Sequence, residues 1–317
     1  MTLFDELSIL TGLGASDLNR LIYNAPARYK EFPIKKRSGE DRIIAQPSRE
    51  LKIVQRYIAG LVLNRLPIHS AATAYKEGAN IFANVQSHSA NRIILKLDFT
   101  DFFHSIKPTD WRNYAKVHIP SLSKEDVELS AKVLFWGMKS NRPICLSIGA
   151  PTSPVMSNLI MYDLDEQFFQ ITNDIGVTYT RYADDITLSG SNKESVIEAE
   201  KAIRVAVRKC KSPKLLFNES KRGIYSTGQR RHITGLNITP SGKISLGRER
   251  KRMISSLIHK YSLMLLDAND VGKLKGYLAF SLACEPEFLG RMRIKYGSTL
   301  IEEIQKTHIP ARTLPES

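Results

Sequence analysis

The sequence predicts an α+β fold built on a four-stranded antiparallel sheet, and three features predict it. The first is the stretch Val177-Thr178-Tyr179-Thr180-Arg181-Tyr182-Ala183-Asp184-Asp185-Ile186-Thr187-Leu188-Ser189-Gly190. Its β-branched and aromatic residues run up to an Ala-Asp-Asp tip and resume beyond it, the pattern of a β-hairpin. The second is Ile93 to Leu97, apolar except for Lys96 and ending on Asp98. The third is the helical segments that follow these strands, each opened by a capping signal, which give a β-α-β-β-α-β order. A sheet of that order brings Asp98 beside Asp184 and Asp185.

Taken along the chain, Leu3, Leu7, Leu10, Leu18, Leu21 and Ile22 set two short helices around Gly12-Leu13-Gly14, the second capped by Ser16 with Asp17 in its first turn. Tyr29 to Gln46 reads as two strand-like segments around a charged turn, Lys35 to Asp41, the second strand being Arg42-Ile43-Ile44-Ala45. That turn is either a solvated hairpin tip or a triphosphate clamp, since Arg offers a fork matching phosphate oxygens. Ser48 caps a helix to about Leu66, with Leu51, Val54, Ile58, Leu61 and Val62 on one face. Ser123 and Asp126 have capping-box spacing for a helix to Lys139, and Gly149 to Pro154 is a tight turn opening another, with Ser153 as cap and an end near Phe169. Ser191 and Glu194 open a helix to Cys210, stopped by Pro213. Short strands follow at 215–217, 232–239 and 243–246. From Arg248 to about Ile304 the pattern is helical, with breaks near Asn269 and Glu285-Pro286, a three-helix region. The tail from Thr307 is polar and reads as frayed.

Lys and Arg number 46 against 32 Asp and Glu, a net charge of +14. That excess suits a polyanionic partner, either nucleic acid or an acidic membrane surface. Lys201 to Lys260 holds 16 Lys and Arg against only Glu219 and Glu249, so a phosphate backbone is expected on the C-terminal half. Cys145, Cys210 and Cys284 are too scattered for a disulfide framework or a zinc cluster and fit a reducing cytosol. The N-terminus has no basic leader and no run of 18 apolar residues occurs, so neither secretion nor a membrane span is expected and the cytoplasm is the expected location.

The acids admit two readings each. Asp98 either caps the helix after its strand or is a catalytic carboxylate at a strand's C-terminal end. Asp184-Asp185 is either a solvated turn or, if flanked by buried strands, a pair that needs cations. His88, with no ligand in spacing, reads as a surface or hydrogen-bonded residue. Three convergent carboxylates without imidazole or thiolate select Mg²⁺, with Mn²⁺ as substitute. Two such ions about 4 Å apart would activate a 3′-hydroxyl and clamp a leaving pyrophosphate, so the residues point to nucleotidyl transfer.

The same residues carry a family resemblance. Leu97-Asp98-Phe99-Thr100-Asp101-Phe102-Phe103, Gly149-Ala150-Pro151-Thr152-Ser153-Pro154 and Tyr182-Ala183-Asp184-Asp185 resemble, in order and spacing, the palm motifs of reverse transcriptases. Within that family the chain is similar to the bacterial retron enzymes over roughly Leu18 to Phe280. It shares Gln46-Pro47-Ser48-Arg49-Glu50-Leu51-Lys52, the Asn84/His88 pair of an Asn-Ala-x-x-His element, and Ile233-Thr234-Gly235, similar to a Val-Thr-Gly element. It departs from the family at Ile148, where Gln usually precedes Gly-Ala-Pro, at Val85, at Ile233, and at Arg222, where Thr is usual.

The resemblance implies a right-hand polymerase, with fingers, a palm built on an antiparallel sheet like that of RNA-recognition domains, and a helical thumb. Fingers and palm would span residues 1–240, and thumb and tail 241–317. It implies that Asp98, Asp184, Asp185 and the carbonyl of Phe99 hold the metals, and that Phe103 blocks a 2′-hydroxyl. Arg42, Lys36, Gly149, Ala150 and Lys221 would contact the deoxynucleoside triphosphate or its pyrophosphate, although a solvated surface role suits Lys221 equally. Arg49, Asn84, His88, Thr234, Gly235, Arg248, Arg250, Lys251 and Arg252 would contact nucleic acid, the last four from a thumb helix tracking the minor groove of the RNA/DNA hybrid. For a retron enzyme it further implies a cognate structured noncoding RNA, initiation from a guanosine 2′-hydroxyl, and a branched RNA-linked single-stranded DNA. A role in phage defence with a separate effector protein goes with these, and template removal by a host RNase H. The alternatives are an enzyme of the group II intron or diversity-generating type, and an RNA-binding scaffold that keeps the fold without turnover.

Overall fold

The computed structural model describes residues 1–35 and 39–308. In chain order, α1 (Leu3–Thr11) and α2 (Ala15–Asn24) lead into the hairpin β1 (Tyr29–Lys35) and β2 (Asp41–Pro47), followed by α3 (Arg49–Leu61) and α4 (Ile81–Gln86). Next come β3 (Ile93–Asp98), α5 (Phe102–Ser105), α6 (Pro108–His118), α7 (Lys124–Leu134), α8 (Ser153–Ile160) and α9 (Tyr162–Ile175). The hairpin β4 (Thr178–Tyr182) and β5 (Asp185–Gly190) is followed by α10 (Lys193–Lys209) and by β6 (Gly223–Tyr225), β7 (Arg231–Ile233), β8 (Leu236–Ile238) and β9 (Ile244–Ser245). Four helices complete the chain: α11 (Arg248–Ser262), α12 (Ala268–Cys284), α13 (Pro286–Tyr296) and α14 (Ser298–Lys306).

Contacts divide the chain into two compact units, Met1–Ala79 with Ile93–Ile224, and Asn80–Arg92 with Tyr225–Ser317. The first is organised by the sheet β4-β5-β3-β6, in which β3 pairs antiparallel with β5 and β5 with β4. β5 is buried on both faces from Ile186 to Gly190, and α9 and α10 pack against the sheet. That is why these strands read as continuous apolar runs rather than as alternation. One core joins Leu7 and Leu18 of the first helices to Leu51, Trp111, Leu134, Phe168, Leu188 and Ile203. Each such fully buried side chain contributes about 1.5–3 kcal/mol. Trp111 places its indole in that core without an unmet donor, because Nε1 donates to Ser130 Oγ at 2.9 Å.

Several local expectations shift. Gly14, not Ser16, precedes α2, and Asn192, not Ser191, opens α10 by accepting from the Ser195 amide at 2.8 Å. Ser48 does cap α3, accepting from the Leu51 amide. Thr152, with helical backbone angles, precedes α8, so Ser153 caps nothing, and the expected single helix to Phe169 is two, parted at Met161. Residues 215–217 make only an isolated bridge at Phe217, to Phe99.

The second compact unit gathers segments from two parts of the chain. In the second unit Arg231, 1% exposed, donates from Nη1 to the carbonyl of Asn91 at 2.6 Å and from Nη2 to that of Thr239. Asn84 Nδ2 donates to Thr234 Oγ1 at 3.3 Å. These bonds fasten residues 80–92 to the three-stranded sheet β7-β8-β9, so both belong with the C-terminal helices. Those helices number four rather than three, because Gly297 at φ 90° ends α13 where a side chain would be strained. The tail from residue 309, and Lys36, lie outside the described residues.

Candidate active site

Antiparallel register brings the acids together. Asp98 on β3 is the direct cross-strand partner of Asp185 on β5, and opposed residues project to the same face with Cβ atoms about 5 Å apart. Asp98 therefore does not cap a helix: it is the last strand residue, 4% exposed, and α5 begins four residues later. Asp184 sits at the β4–β5 turn, and its carbonyl accepts from the Phe99 amide at 3.2 Å. The Phe99 amide thus lies on the strand edge that faces the β4–β5 turn. Asp184 and Asp185 are half-buried.

This crowding is electrostatically unfavourable in the bare protein. Burial first, and then the charge of Asp98, raises the carboxyl of Asp184. Burial first, and then Asp184, pushes Asp185 up to about 6, against some relief from Lys96. Lys221 answers part of the excess charge: its ammonium donates to both Asp98 oxygens at 2.8 Å. Burial lowers the Lys221 pKa, but the Asp98 bond and the charges of all three acids outweigh it and raise the group overall. Lys221 remains 52% exposed, so it is a surface lysine with its ammonium paired to Asp98.

Among the described residues no group of three or more His, Cys, Asp and Glu side chains is arranged as a ready metal cage. The carboxyls of Asp98, Asp184 and Asp185 are close enough to act on one another, and one ammonium is bound to Asp98. Clustered, partly desolvated carboxylates, with the Asp184 and Asp185 carboxyls raised, fit a hard divalent ion, which would relieve what one lysine does not.

The turn carrying the acids is held by a network the sequence reading did not identify. Arg181 and Asp165 are both fully buried; Arg181 donates from Nε and Nη2 to the two Asp165 oxygens at 2.8 and 2.5 Å, and Tyr179 Oη donates to Asp165 at 2.6 Å. The remaining Arg181 nitrogen, Nη1, donates to the Ala183 carbonyl at 3.0 Å. Ala183 has φ 58°, the first of two turn residues in a tight hairpin that ordinarily takes Gly. A left-handed Ala costs about 1 kcal/mol, and the guanidinium pins it there. The signal was available, since Arg181 is the one charge in an otherwise β-branched and aromatic strand.

The neighbouring positions fall around this centre. Phe103, half-buried in α5, meets Phe102 edge-on at 5.5 Å and Tyr75 at 6.5 Å. Arg42 is exposed on β2, near enough for its charge to lower the Asp184 pKa. The Gly149 turn seats that hairpin: the Ala45 amide donates to the Ile148 carbonyl at 2.9 Å, and a Cβ on Gly149 would stand 2.9 Å from Ile44 Cγ2. Ala150 is buried in that turn and Arg49 is exposed in the first turn of α3.

In the second unit the expected contacts divide. Asn84 is 1% and His88 0% exposed, and burial pushes the His88 imidazole down to about 3, so it is neutral and offers no charge to a phosphate. Asn84 is tied into its own unit through Thr234. Thr234 and Gly235, at φ 41° and 93°, form the two-residue β7–β8 turn and are half-buried. Arg250 donates to the Gly235 carbonyl at 3.0 Å and lies over the Phe280 ring at 5.3 Å, while Lys251 pairs with Glu285 at 2.6 Å. Arg248 and Arg252 are exposed on α11.

No helix among the described residues is long and apolar enough to cross a membrane. The sequence pattern of the reverse transcriptase (RNA-dependent DNA polymerase) family matches residues 34–238. Retron Ec83 reverse transcriptase of Escherichia coli is 34% identical over 92% of this chain and 94% of its own. Retron Ec73 reverse transcriptase of the same species is 32% identical over 97% and 98%. Among solved structures, apo telomerase from Candida tropicalis aligns with 69% of this chain and 55% of its own at 12% identity and a TM-score of 0.49. With its acids gathered at the ends of β3 and β5 and this likeness along nearly its whole length, the chain belongs to the reverse transcriptase family, as an RNA-directed DNA polymerase of the retron kind.

Proposed function

We infer that the protein copies its own structured noncoding RNA into branched, RNA-linked single-stranded DNA, starting from a guanosine 2′-hydroxyl of that RNA. The observation that carries this reading is the cross-strand meeting of Asp98 and Asp185 with Asp184 beside them, in a chain similar to proteins named as retron reverse transcriptases. Asp98, Asp184, Asp185 and the Phe99 carbonyl would hold two Mg²⁺ ions, or Mn²⁺ in their place. When bound, the ions supply an activated 3′-hydroxyl and charge neutralisation on the leaving pyrophosphate.

The chain's own residues do the rest. Arg42, with Lys36, binds the triphosphate through charge-assisted hydrogen bonds. Gly149 and Ala150 shape the nucleotide pocket, and the Phe103 ring excludes a 2′-hydroxyl by bulk. Lys221, released from Asp98, stands beside the leaving pyrophosphate and gives it a proton. Arg49, Arg248 and Arg252, all exposed, follow the phosphate backbone, while the Thr234-Gly235 turn presents backbone to the RNA. Residues 1–79 and 93–224 serve as fingers and palm, and the C-terminal helices as thumb. Phage defence with a separate effector protein, and template removal by a host RNase H in the cytoplasm, complete the reading.

Primer extension on an RNA template with Mg²⁺ and deoxynucleotides tests it. Incorporation that Asp185→Asn abolishes while the circular dichroism spectrum stays native is expected, and sequencing of copurified nucleic acid should return an RNA joined to DNA. Tight RNA binding by a wild-type protein that incorporates nothing would leave only a scaffold.

A further inference from the structure

Tyr75 belongs to none of the motifs above, yet the fold sets it beside the acids. Its ring lies 6.5 Å from that of Phe103 and 6.5 Å from that of Tyr182, tilted to each by 55° and 40°. It is 45% exposed, so one part of the ring is open to solvent while the rest is buried against its neighbours. Burial of the remainder raises its hydroxyl pKa, and Asp184, Asp185 and Arg42 are all within electrostatic reach of it. The hydroxyl is therefore neutral, and no charge is added to the pocket.

Its backbone is also held in a costly conformation. Tyr75 has φ 59°, a left-handed angle that costs a side-chain-bearing residue on the order of 1 kcal/mol. Such strain persists only where the surroundings over-determine it. Here they do: the Thr73 amide and hydroxyl donate to the Arg181 carbonyl at 2.8 and 3.0 Å, and the Arg181 amide donates to Ala71 at 2.8 Å. On the other side Asn158 Nδ2 donates to the Ala74 carbonyl at 2.8 Å. Bonds from β4 and α8 thus clamp the residues just before Tyr75 and aim its ring at Phe103.

We propose that Tyr75 is a positioning residue for sugar selection, its ring backing that of Phe103 so that the gate cannot swing aside to admit a ribose. This rests on the reading of Phe103 as the sugar gate. A rigid wall rejects an added hydroxyl by steric clash, but a ring free to rotate yields to it, so discrimination depends on what stands against the ring as well as on the ring itself.

The test compares kcat/KM for a deoxynucleotide and the matching ribonucleotide in wild type, Phe103→Ala, Tyr75→Ala and Tyr75→Phe. Both substrates are assayed on one preparation, so the ratio does not depend on how much of a variant is folded. Phe103→Ala should lower the ratio, Tyr75→Ala should lower it on the order of tenfold, and Tyr75→Phe, which keeps the ring, should stay within about twofold of wild type. A Tyr75→Ala ratio equal to wild type, with Phe103→Ala reduced, overturns the proposal and leaves the gate standing. An unchanged ratio in Phe103→Ala removes the gate, and this proposal falls with it. A loss in Tyr75→Phe equal to that in Tyr75→Ala also overturns it, by assigning the effect to the hydroxyl.

Discussion

Replacing Asp185 by Asn should make the metal-free protein more stable while destroying its activity. The Asp185 carboxyl is raised from 3.8 to about 6, so between those values the folded protein binds a proton that the unfolded chain has released. Stability then falls as pH rises, and this contribution is lost once pH passes the folded value. Linkage with these two pKa values gives a penalty of at most about 3 kcal/mol at pH 7.5 and roughly half of that at pH 5. Asn removes the charge and its NH₂ donates to Asp98, so the penalty disappears. Urea unfolding of both proteins in chelator, at the two pH values, measures the gap directly, with Asp185→Asn the more stable and the gap larger at pH 7.5. Saturating Mg²⁺ should close much of it, because an ion relieves in the wild type what the amide relieves in the variant. If Asp185→Asn is no more stable at pH 7.5, or if the gap fails to shrink at pH 5, the acids are not held in mutual repulsion and the cation site loses its electrostatic basis.

Other residues should respond differently. Arg181→Met leaves the buried Asp165 carboxylate unpaired and should cost about 3–5 kcal/mol in urea unfolding; Arg181→Met with Asp165→Leu and Tyr179→Phe should recover most of that stability without recovering polymerisation, since Ala183 still lacks its donor. Lys221→Met removes the ammonium from Asp98 and should tighten Mn²⁺ binding, read by titration calorimetry, while slowing turnover. Gly149→Ala places a Cβ 2.9 Å from Ile44 at φ 124° and should cost about 1–3 kcal/mol and raise KM for the nucleotide.

What was legible in the chain and what was not follows from the range of the interactions. β3, the β4–β5 hairpin and the pairing of their acids are set by local pattern and a short topological rule, so Asp98 and Asp185 fall in register as expected. Caps are decided by one or two backbone angles: Ser48 has extended ones and caps, whereas the Gly149 turn carries helical angles back to Thr152 and leaves Ser153 inside the helix. Asn84 and Thr234 are 150 residues apart and meet side chain to side chain, so nothing local distinguishes a residue that reaches for RNA from one that fastens its own unit. Tyr75 was hidden for the same reason, because its place depends on bonds from β4 and α8 rather than on its neighbours in sequence.

The two faces of the acidic hairpin are built on opposite principles. On one, Arg181, Asp165 and Tyr179 form a closed set in which every charge has a partner and the spare guanidinium bond fixes the strained Ala183. On the other, three carboxylates have one directly bonded ammonium, with Lys96 and Arg42 acting only at a distance, so the charge balance is left incomplete. A site of this kind needs both halves. Without the rigid half the carboxylates would drift apart to relieve their repulsion, and without the uncompensated half no free energy would draw a divalent ion in. Two positions four residues apart along one strand and turn should therefore show mutations of opposite sign, stabilising at Asp185 and destabilising at Arg181, with activity lost at both. A generally fragile fold would lose stability at each, and a merely solvated acidic turn would show little at either.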